Sequence, residues 1–521
     1  MRIDPANGVS VFNKAALPAV LMLATAAVAC AILFDATPLL RGPAPYPPEW
    51  QWIDQPKDTL ARGGMALACA GGLLGLLAVS GLALARRHPV KTCALMLATA
   101  TLLGLGLQWG MLKLEKNDAV ETYLQRTISG SFTSYYLVAI SPEADDPWAF
   151  LDHHAELLPG FRERVGHAAT HPPGPVLFFR CLLGLCRWSA ALTNGIIDTI
   201  ARPRLDMRTF TLPEEGPLLA TALLAPLVLG LFCAAACFPT AALAYAAGMR
   251  PLPAARVGVL WSLLPGPMLM VPSIDAALAL PIVGAAAILA FCVTRRPATK
   301  RVVLGAIGAG LLGGIALFTS YGAAAFLVIG CGAAAALGKD RSRIIFLLGL
   351  TAIVALSVNL LPMLAGHDPL AAARTALAIH RDAYTAPRSY ALWLLFNAWD
   401  FALFLGVPVA VLGVWRGVRA VVRCARASRS SAIHPFCRFQ TVAGLGLAAL
   451  LMSGVVRGEV GRLWIPLMPI LLVVSLGRAA CRVSAPLEGW RVSGPSARRA
   501  VLLGMLLFVL SIVIRLTWLV P

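Results

Sequence analysis

The chain has 521 residues, of which 58% are apolar and 13% are charged, whereas soluble domains average roughly 45–50% apolar and 25% charged residues. This composition excludes a soluble enzyme and predicts an all-α polytopic membrane protein, because apolar stretches long enough to cross a bilayer follow one another almost end to end. The formal charge of +19 comes from short basic clusters between apolar runs, which indicates membrane topology and no nucleic-acid partner.

Thirteen stretches have the length and apolarity of transmembrane helices. In chain order they cover 15–34, 62–85, 91–113, 217–247, 254–272, 276–294, 301–318, 321–337, 343–362, 391–414, 436–455, 462–478 and 499–518. The first also resembles a secretory signal, with Ala27-Val28-Ala29 as a cleavage-like site, but the many later spans favour a retained anchor.

Four regions follow from this reading. They are an N-terminal helix pair with a Pro/Trp-rich outer loop (1–90), a first core helix with a large outer loop and an interfacial helix (91–216), a transmembrane core (217–478), and a basic loop with the last helix (479–521). The twelve cysteines lie mostly in apolar segments, so we expect neither a disulfide framework nor structural zinc.

A cytoplasmic N-terminus satisfies the positive-inside rule. The loops that then face inward hold 25 of the 44 Lys and Arg residues but three of the 25 acidic ones, and they cover 1–14, 86–91, 248–256, 295–301, 339–343, 416–438 and 478–499. The long loops 114–173 and 363–390 fall outside. The Ala-, Arg- and Leu-rich composition is typical of a GC-rich bacterial genome, so we predict a multi-pass protein of the bacterial inner membrane. Because the acids, the histidines and the long loops collect on the outer side, we expect the active face to lie outside the cytoplasm.

Segment 174–200 is apolar but carries Arg180, Arg187 and Asp198. If it crosses the membrane, 217–247 has to form a hairpin to restore the topology. An interfacial or re-entrant helix is the alternative that we favour.

The outer loop 114–173 ends in Thr170-His171-Pro172-Pro173. Two consecutive prolines fix φ and remove backbone donors, so a stiff turn presents His171 at the membrane surface. The alternative is that the turn only begins an interfacial helix and the histidine is solvated.

Three motifs together resemble the GT-C class of polyprenyl-phosphate-sugar-dependent membrane glycosyltransferases, and more narrowly its bacterial branch with a His-Pro-Pro motif. They are His171-Pro172-Pro173, the Pro265–Asp275 segment and the Gly458–Pro469 segment, which contains Glu459 and Arg462. The resemblance extends over about 91–478 and implies a GT-C-like fold with short amphipathic helices in the large outer loop. It also implies a lipid-linked sugar as donor and a glycan, a lipid or a protein as acceptor.

The resemblance further implies a catalytic carboxylate in the first large outer loop, just after the preceding helix. Asp118 and Glu121 occupy the matching positions, and their i, i+3 spacing puts both on one helical face. With His171 they are the predicted catalytic residues. Thr170 stands where related enzymes often have Asp, and this loop has no adjacent Asp-Glu pair.

Sugar transfer from a lipid phosphate needs a carboxylate that takes a proton from the acceptor hydroxyl and cations that stabilise the departing phosphate. Arg388, Arg457 and Arg462 lie at outer helix ends, where lipid phosphates sit, and the planar guanidinium suits phosphate. We assign Arg457, Glu459 and Arg462 to substrate binding. Interfacial snorkelling is the alternative for Arg462.

Asp275 and Asp400 lie in or beside apolar spans, where an unpaired carboxylate costs roughly 2.5–3.5 kcal/mol at the helix centre. Both are therefore expected to face a cavity or a partner, and Asp275 is assigned to substrate binding. The alternative for Asp275 is that it caps the following helix.

Asp152, His154 and Trp50 complete the predicted substrate-binding set. Asp152 and His154 belong either to a site that includes metal ligands or to a solvated loop; Mg²⁺ or Mn²⁺ near a phosphate is favoured over zinc if an ion takes part. Trp50 in the Tyr46–Trp52 motif belongs either to an aromatic belt or to a sugar-stacking platform or lid.

A transporter or flippase of a lipid-linked glycan is the main alternative function, and a structural subunit without chemistry is another. Transporters commonly show internal repeats and ionisable groups at mid-membrane, whereas repeats are not evident here and charges within the spans are few. Walker-type phosphate loops and Rossmann fingerprints are absent from the sequence, so nothing indicates ATP hydrolysis. The oligomeric state stays open.

Overall fold

A computed structural model describes residues 16–45, 48–82, 88–115, 117–130, 134–205, 216–295, 298–427, 433–479 and 492–520. The predicted inner segment 1–14, most of the predicted inner segment 478–499, and Tyr46 and Pro47 of the aromatic motif lie outside these residues. Helices make up 79% of the structure, as expected for an all-α membrane protein.

The N-terminal part of the chain begins with long helices and continues through the short helices of the large outer loop. Its helices are α1 (Ala16–Leu33), α2 (Gly64–Val79), α3 (Pro89–Leu112), α4 (Ala119–Ile128), α5 (Tyr135–Ala139), α6 (Pro147–Asp152), α7 (His154–Arg164), α8 (Gly174–Trp188), α9 (Ala190–Ile196), α10 (Gly216–Ala235), α11 (Cys237–Ala246) and α12 (Pro251–Trp261).

The remaining helices continue the bundle, and two short strand pairs join distant segments. The helices are α13 (Pro265–Leu269), α14 (Ile274–Ala277), α15 (Ala279–Thr294), α16 (Thr299–Thr319), α17 (Ala323–Ala335), α18 (Arg341–Leu360), α19 (Pro369–His380), α20 (Tyr390–Leu405), α21 (Val407–Arg426), α22 (Pro435–Ser453), α23 (Val460–Leu463), α24 (Met468–Leu476) and α25 (Ala497–Thr517). Strand β1 (Ile53–Asp54) pairs antiparallel with β4 (Trp518–Leu519), and β2 (Arg478–Ala479) pairs antiparallel with β3 (Val492–Ser493).

Nine helical stretches in the described part of the chain are long and apolar enough to cross a membrane, and two bent helix pairs raise this number to as many as eleven. The chain is therefore a multi-pass membrane protein by the length and composition of its helices. The thirteen predicted spans exceed this number because apolarity does not guarantee a continuous helix. Prolines 265, 267 and 272 interrupt the predicted span 254–272, where ring geometry and the missing donors prevent an unbroken helix.

Two predicted segments are sharply bent. Helices α8 and α9 meet at 105°, and α20 and α21 meet at 116°. The second bend lies at Gly406, whose φ is +88° and where a side chain would collide with Leu507, so only glycine fits. The predicted span 391–414 is thus two helices with different directions. The interfacial or re-entrant helix at 174–200 stays a prediction.

One hydrophobic core extends through the described chain, with members from Leu21 to Val520. Small residues bring helices close together within it: a Cβ added at Gly314 would lie 2.6 Å from Val358 Cβ on α18. This is the close packing that small residues permit between membrane helices.

Candidate functional site

A cavity of about 180 Å³ lies where several turns and helix ends meet. A single water needs roughly 10–15 Å³ of such space, so the cavity has room for a small polar ligand such as a sugar ring. Its walls come mainly from 167–171, 270–275, 320–326, 377–388 and 455–464, with Arg126 and Tyr135 from the large outer loop.

Two helices that border the cavity run from it to the same basic loop. Helix α16 ends beside the cavity at Thr319 and begins at Thr299, about 30 Å away at 1.5 Å per residue. Helix α15 starts beside the cavity and ends next to Arg295. The cavity and this basic loop, 295–301, therefore lie at opposite ends of the two helices.

A buried arginine between two carboxylates forms one wall of the cavity. Arg462 Nη2 lies 2.9 Å from Glu459 Oε2, and Arg462 Nε lies 3.9 Å from Asp275 Oδ2. The side chains of Arg462, Asp275 and Glu459 are only 11, 17 and 21% exposed. Burial alone would lower the pKa of Arg462, but the two carboxylates outweigh burial and raise it, so this cation is permanent.

Asp275 faces the cavity and is not the cap of the following helix. Ser273 is the N-cap residue of α14, because its hydroxyl accepts a hydrogen bond from Asp275 N. The carboxylate of Asp275 contacts the Ser273 hydroxyl at 3.5 Å. Arg462 Nε is buried without a hydrogen-bond partner among the described residues, so a polar donor and a carboxylate oxygen stand 3.9 Å apart on the wall.

The backbone of 454–461 is strained where it carries Glu459. Glu459 has a φ of +56° and follows Gly458, whose φ is +107°; such a conformation in a non-glycine residue costs on the order of 1–3 kcal/mol. Two side chains of α20 hold this backbone. Asn397 donates to Val456 O at 2.7 Å and accepts from Gly458 N at 3.1 Å, and Asp400 accepts from Gly461 N at 2.8 Å.

Arg457 and Arg388 both line the cavity and are locked to each other's backbone. Each guanidinium donates to the carbonyl oxygen of the other residue, and Arg457 also donates to Thr385 O at 3.0 Å. The predicted phosphate ligand Arg457 therefore joins two of the segments that form the cavity wall.

His171 lines the same cavity and is held in one tautomer. Its Nδ1 lies 3.0 Å from His167 O and 3.1 Å from Thr170 Oγ1. Because a carbonyl oxygen only accepts, we assign the proton to Nδ1, which leaves Nε2 as an acceptor. Burial lowers the pKa of His171 to about 4, although the His167 carbonyl partly opposes this effect, so the imidazole is neutral at pH 7.

The structure does not place Asp118 and Glu121 in the cavity wall. Asp118 is the N-cap of α4 and accepts from Val120 N at 2.8 Å, and Glu121 accepts from Gln125 Nε2 at 3.0 Å. Glu121 lies on a short helix, whereas Asp118 precedes that helix as its cap. Capping and a local side-chain pair occupy the two carboxylates. The carboxylates that meet Arg462 are Asp275 and Glu459.

We therefore expect the Asp118→Asn and Glu121→Gln proteins to have reaction rates close to that of the wild type. Asn caps a helix about as well as Asp, whereas Asp118→Ala is expected to lose about 1 kcal/mol of stability. Rates and thermal unfolding in one detergent measure both effects. If a folded Glu121→Gln protein had no activity, the catalytic carboxylate would instead lie in the large outer loop.

Three further predicted residues also lie away from the cavity wall. Trp50 packs edge-on against Trp52 with ring centroids 4.3 Å apart. Asp152 is exposed beside Gly366. His154 is 1% exposed and packs against Phe150 at 5.4 Å, so a solvated loop is the wrong interpretation for this residue.

No group of three or more His, Cys, Asp or Glu side chains in the described ranges is arranged to hold a metal ion. His153 and Glu156, which lie close to Asp152 and His154 in the sequence, form an exposed pair 3.5 Å apart.

A buried charge cluster beside the cavity escaped the sequence analysis. Glu115 Oε1 lies 2.5 Å from Arg515 Nη1 and 3.5 Å from Arg126 Nη2, and Glu115 Oε2 lies 3.5 Å from Lys57 Nζ. Burial lowers the pKa of Lys57 to about 8, although Glu115 opposes this effect. We call these four residues the Glu115 cluster.

The Glu115 cluster supports the segment that leads to Asp275. Arg126 donates to Val271 O at 2.8 Å, and Arg515 donates to Leu269 O at 2.6 Å. Because Arg126 also lines the cavity, it belongs both to the cluster and to the cavity wall. No local pattern relates the members of this cluster, since Lys57 and Arg515 are separated by most of the chain.

His154 and His171, whose pKa values are lowered by desolvation, predict a loss of stability in acid. Burial lowers the pKa of His154 to about 3 and that of His171 to about 4, whereas an unfolded histidine has a pKa near 6.5. Below pH 6.5 the unfolded state binds protons that the folded state does not, so stability falls from pH 6.5 towards 4. We expect His154→Leu to reduce this fall in the unfolding temperature; an unchanged pH dependence would contradict the expectation.

No family model, curated protein or solved structure matches this chain.

Proposed function

We propose that the chain is a membrane glycosyltransferase that moves a sugar from a polyprenyl-phosphate donor to an acceptor on the extracytoplasmic face of the bacterial inner membrane. The observation that carries the proposal is the cavity wall in which Arg462 lies between Asp275 and Glu459. The His-Pro-Pro motif and the Gly458–Pro469 segment, which prompted the resemblance to the GT-C class, contribute residues to this same cavity.

Charge supports this orientation. The basic loop 295–301, which joins the far ends of α15 and α16, belongs in the cytoplasm by the positive-inside rule, and the cavity would then lie on the outer side. A donor whose isoprenoid chain lies in the bilayer would reach the cavity with its phosphate at that surface.

In this proposal Asp275 is the general base. Its carboxylate takes the proton of the acceptor hydroxyl, the hydroxyl oxygen forms a bond to the anomeric carbon, and the bond from that carbon to the phosphate oxygen breaks with its electron pair on the phosphate. Arg462 stabilises the charge on the leaving phosphate, and Glu459 orients the guanidinium. His171 accepts a hydrogen bond from a substrate hydroxyl through Nε2.

The experiment incubates the purified protein in lipid vesicles with a labelled polyprenyl-phosphate hexose or pentose and an extract of cell-envelope acceptors, with and without EDTA. Wild-type protein is expected to form a new glycosidic bond, and Asp275→Asn and His171→Ala are expected to reduce its formation. Glu156→Gln is the matched control, because Glu156 is an exposed outer-loop acid. Movement of the labelled lipid across the vesicles without a new bond would replace the proposal with a transporter.

A further inference from the structure

One face of α20 lies along the backbone that carries Glu459 and Arg462. Trp393, Asn397, Asp400 and Phe404 are spaced by four, three and four residues, so they share one helical face. Asn397 and Asp400 hydrogen-bond to the backbone of 456–461. A side chain added at Gly461 would collide with Phe404, so this face sets the path of the segment.

Asp400 joins this segment to the N-terminal outer loop. Its Oδ2 accepts from Gly461 N at 2.8 Å, and its Oδ1 accepts from Trp52 Nε1 at 2.8 Å. Asp400 is 6% exposed and Trp52 is 3% exposed. Both carboxylate oxygens therefore have fixed donors in a buried setting, where hydrogen bonds to a charged group are strong. Arg462 is the next residue after Gly461.

The same outer loop also holds the start of α20. Glu49 accepts from Ser389 N at 2.8 Å and from Trp393 Nε1 at 2.7 Å. The loop thus holds α20 at its first turn through Glu49 and near its end through Trp52. This arrangement differs from a mobile lid or a stacking platform, because the side chains of both residues are buried in the protein.

We infer that Trp52 and Asp400 are positioning residues for sugar transfer, because the hydrogen-bonded chain Trp52–Asp400–Gly461 holds Arg462 between Asp275 and Glu459. The inference rests on the proposed function and extends it to the N-terminal helix pair, which makes that pair part of the active unit. Loss of the Trp52 donor lets Asp400 reorient, and the first turn of α23 moves with it.

The principal test compares Trp52→Phe with Trp399→Phe. Trp399 is the matched control because its Nε1 donates to Leu40 O at 2.9 Å, so it also joins α20 to the outer loop but does not reach Gly461. Small misplacements of a reacting group strongly reduce rate. With a polyprenyl-phosphate hexose as donor we expect Trp52→Phe to lower kcat about tenfold and to change KM by less than about twofold, while Trp399→Phe keeps the wild-type kcat. Equal kcat values for both variants would overturn the inference.

A second variant tests whether Asp400 must accept both hydrogen bonds. The Asp400→Asn side chain has a single oxygen, which accepts from Gly461 N. Its amide group then faces Trp52 Nε1, so two N–H donors oppose each other. Adding Trp52→Phe removes this conflict. The double variant is therefore expected to have a higher kcat than Asp400→Asn alone, and additive losses would contradict the inference.

Amide hydrogen exchange separates a failure of positioning from a failure of the proposed function. Faster exchange at 458–464 in Trp52→Phe, but not in Trp399→Phe, supports positioning whether or not sugar is transferred. If the wild type forms no glycosidic bond, the proposed function falls and the exchange result alone decides the structural inference. Unchanged exchange in Trp52→Phe would overturn it.

Discussion

Arg462→Ala is expected to abolish sugar transfer and to destabilise the protein. The variant leaves Asp275 and Glu459 facing the same cavity wall without the cation that now lies 2.9 Å from Glu459 and 3.9 Å from Asp275. Loss of one transition-state donor typically reduces kcat about 10²–10³-fold. Removal of one partner of a buried ion pair costs about 3–5 kcal/mol, and we expect the lower end because both carboxylates retain some exposure.

Two further variants separate the chemical role of Arg462 from its role in stability. Arg462→Lys keeps the charge but loses the planar fork, so it is expected to recover most of the stability and little of the transfer. Arg462→Ala combined with Glu459→Gln removes the uncompensated charge and is expected to recover stability alone. Initial rates and unfolding temperatures in the same detergent measure both effects. Wild-type transfer by a folded Arg462→Ala protein would reject the assignment.

The sequence was most informative where chemistry and periodicity agree over a short distance. Long apolar stretches predicted most of the membrane-length helices, and motifs at predicted outer helix ends led to His171, Asp275, Arg457, Glu459 and Arg462, which line one cavity. These residues meet because the turns at one end of a helical bundle are brought together by the packing of the helices.

Local spacing was least informative where another local interaction competes for the same side chain. Asp118 and Glu121 had the right spacing for a carboxylate pair, but an N-cap satisfies backbone donors at a helix start and Asp118 fills that position. The bend at Gly406 was missed because the sequence is apolar on both sides of it. Backbone strain at Glu459 depends on Asn397 and Asp400, which no pattern in 454–464 reveals.

Contacts between distant segments were beyond local sequence reasoning. Trp52 and Asp400 lie 348 positions apart and Glu115 and Arg515 lie 400 positions apart. In the sequence, Glu115 and the cations around it look like isolated charges at the ends of different helices. Asp400 and Asp275 gave a usable signal, because a carboxylate in or beside an apolar span requires a partner.

The Glu115 cluster predicts a second large loss of stability. Glu115→Gln leaves Lys57, Arg126 and Arg515 around a neutral amide, and an uncompensated buried charge costs about 3–5 kcal/mol. Burial would raise the pKa of Glu115, but Arg515, Arg126 and Lys57 outweigh burial and lower it. The wild-type contribution is therefore present above the pKa of an unfolded Glu and is lost as pH falls through the lower folded value.

Glu121→Gln is the matched control for Glu115→Gln, because it makes the same chemical change on the same loop at a partly exposed position. The control is expected to unfold within about 0.5 kcal/mol of the wild type. Lys57→Met in the Glu115→Gln background removes one unpaired cation and is expected to restore part of the stability. Since Arg126 and Arg515 hold Val271 and Leu269 in place, Glu115→Gln is also expected to slow transfer by displacing Asp275. If Glu115→Gln unfolds at the wild-type temperature, the cluster does not support this wall of the cavity, and the positions of Arg126 and Arg515 must be determined by their backbone hydrogen bonds alone.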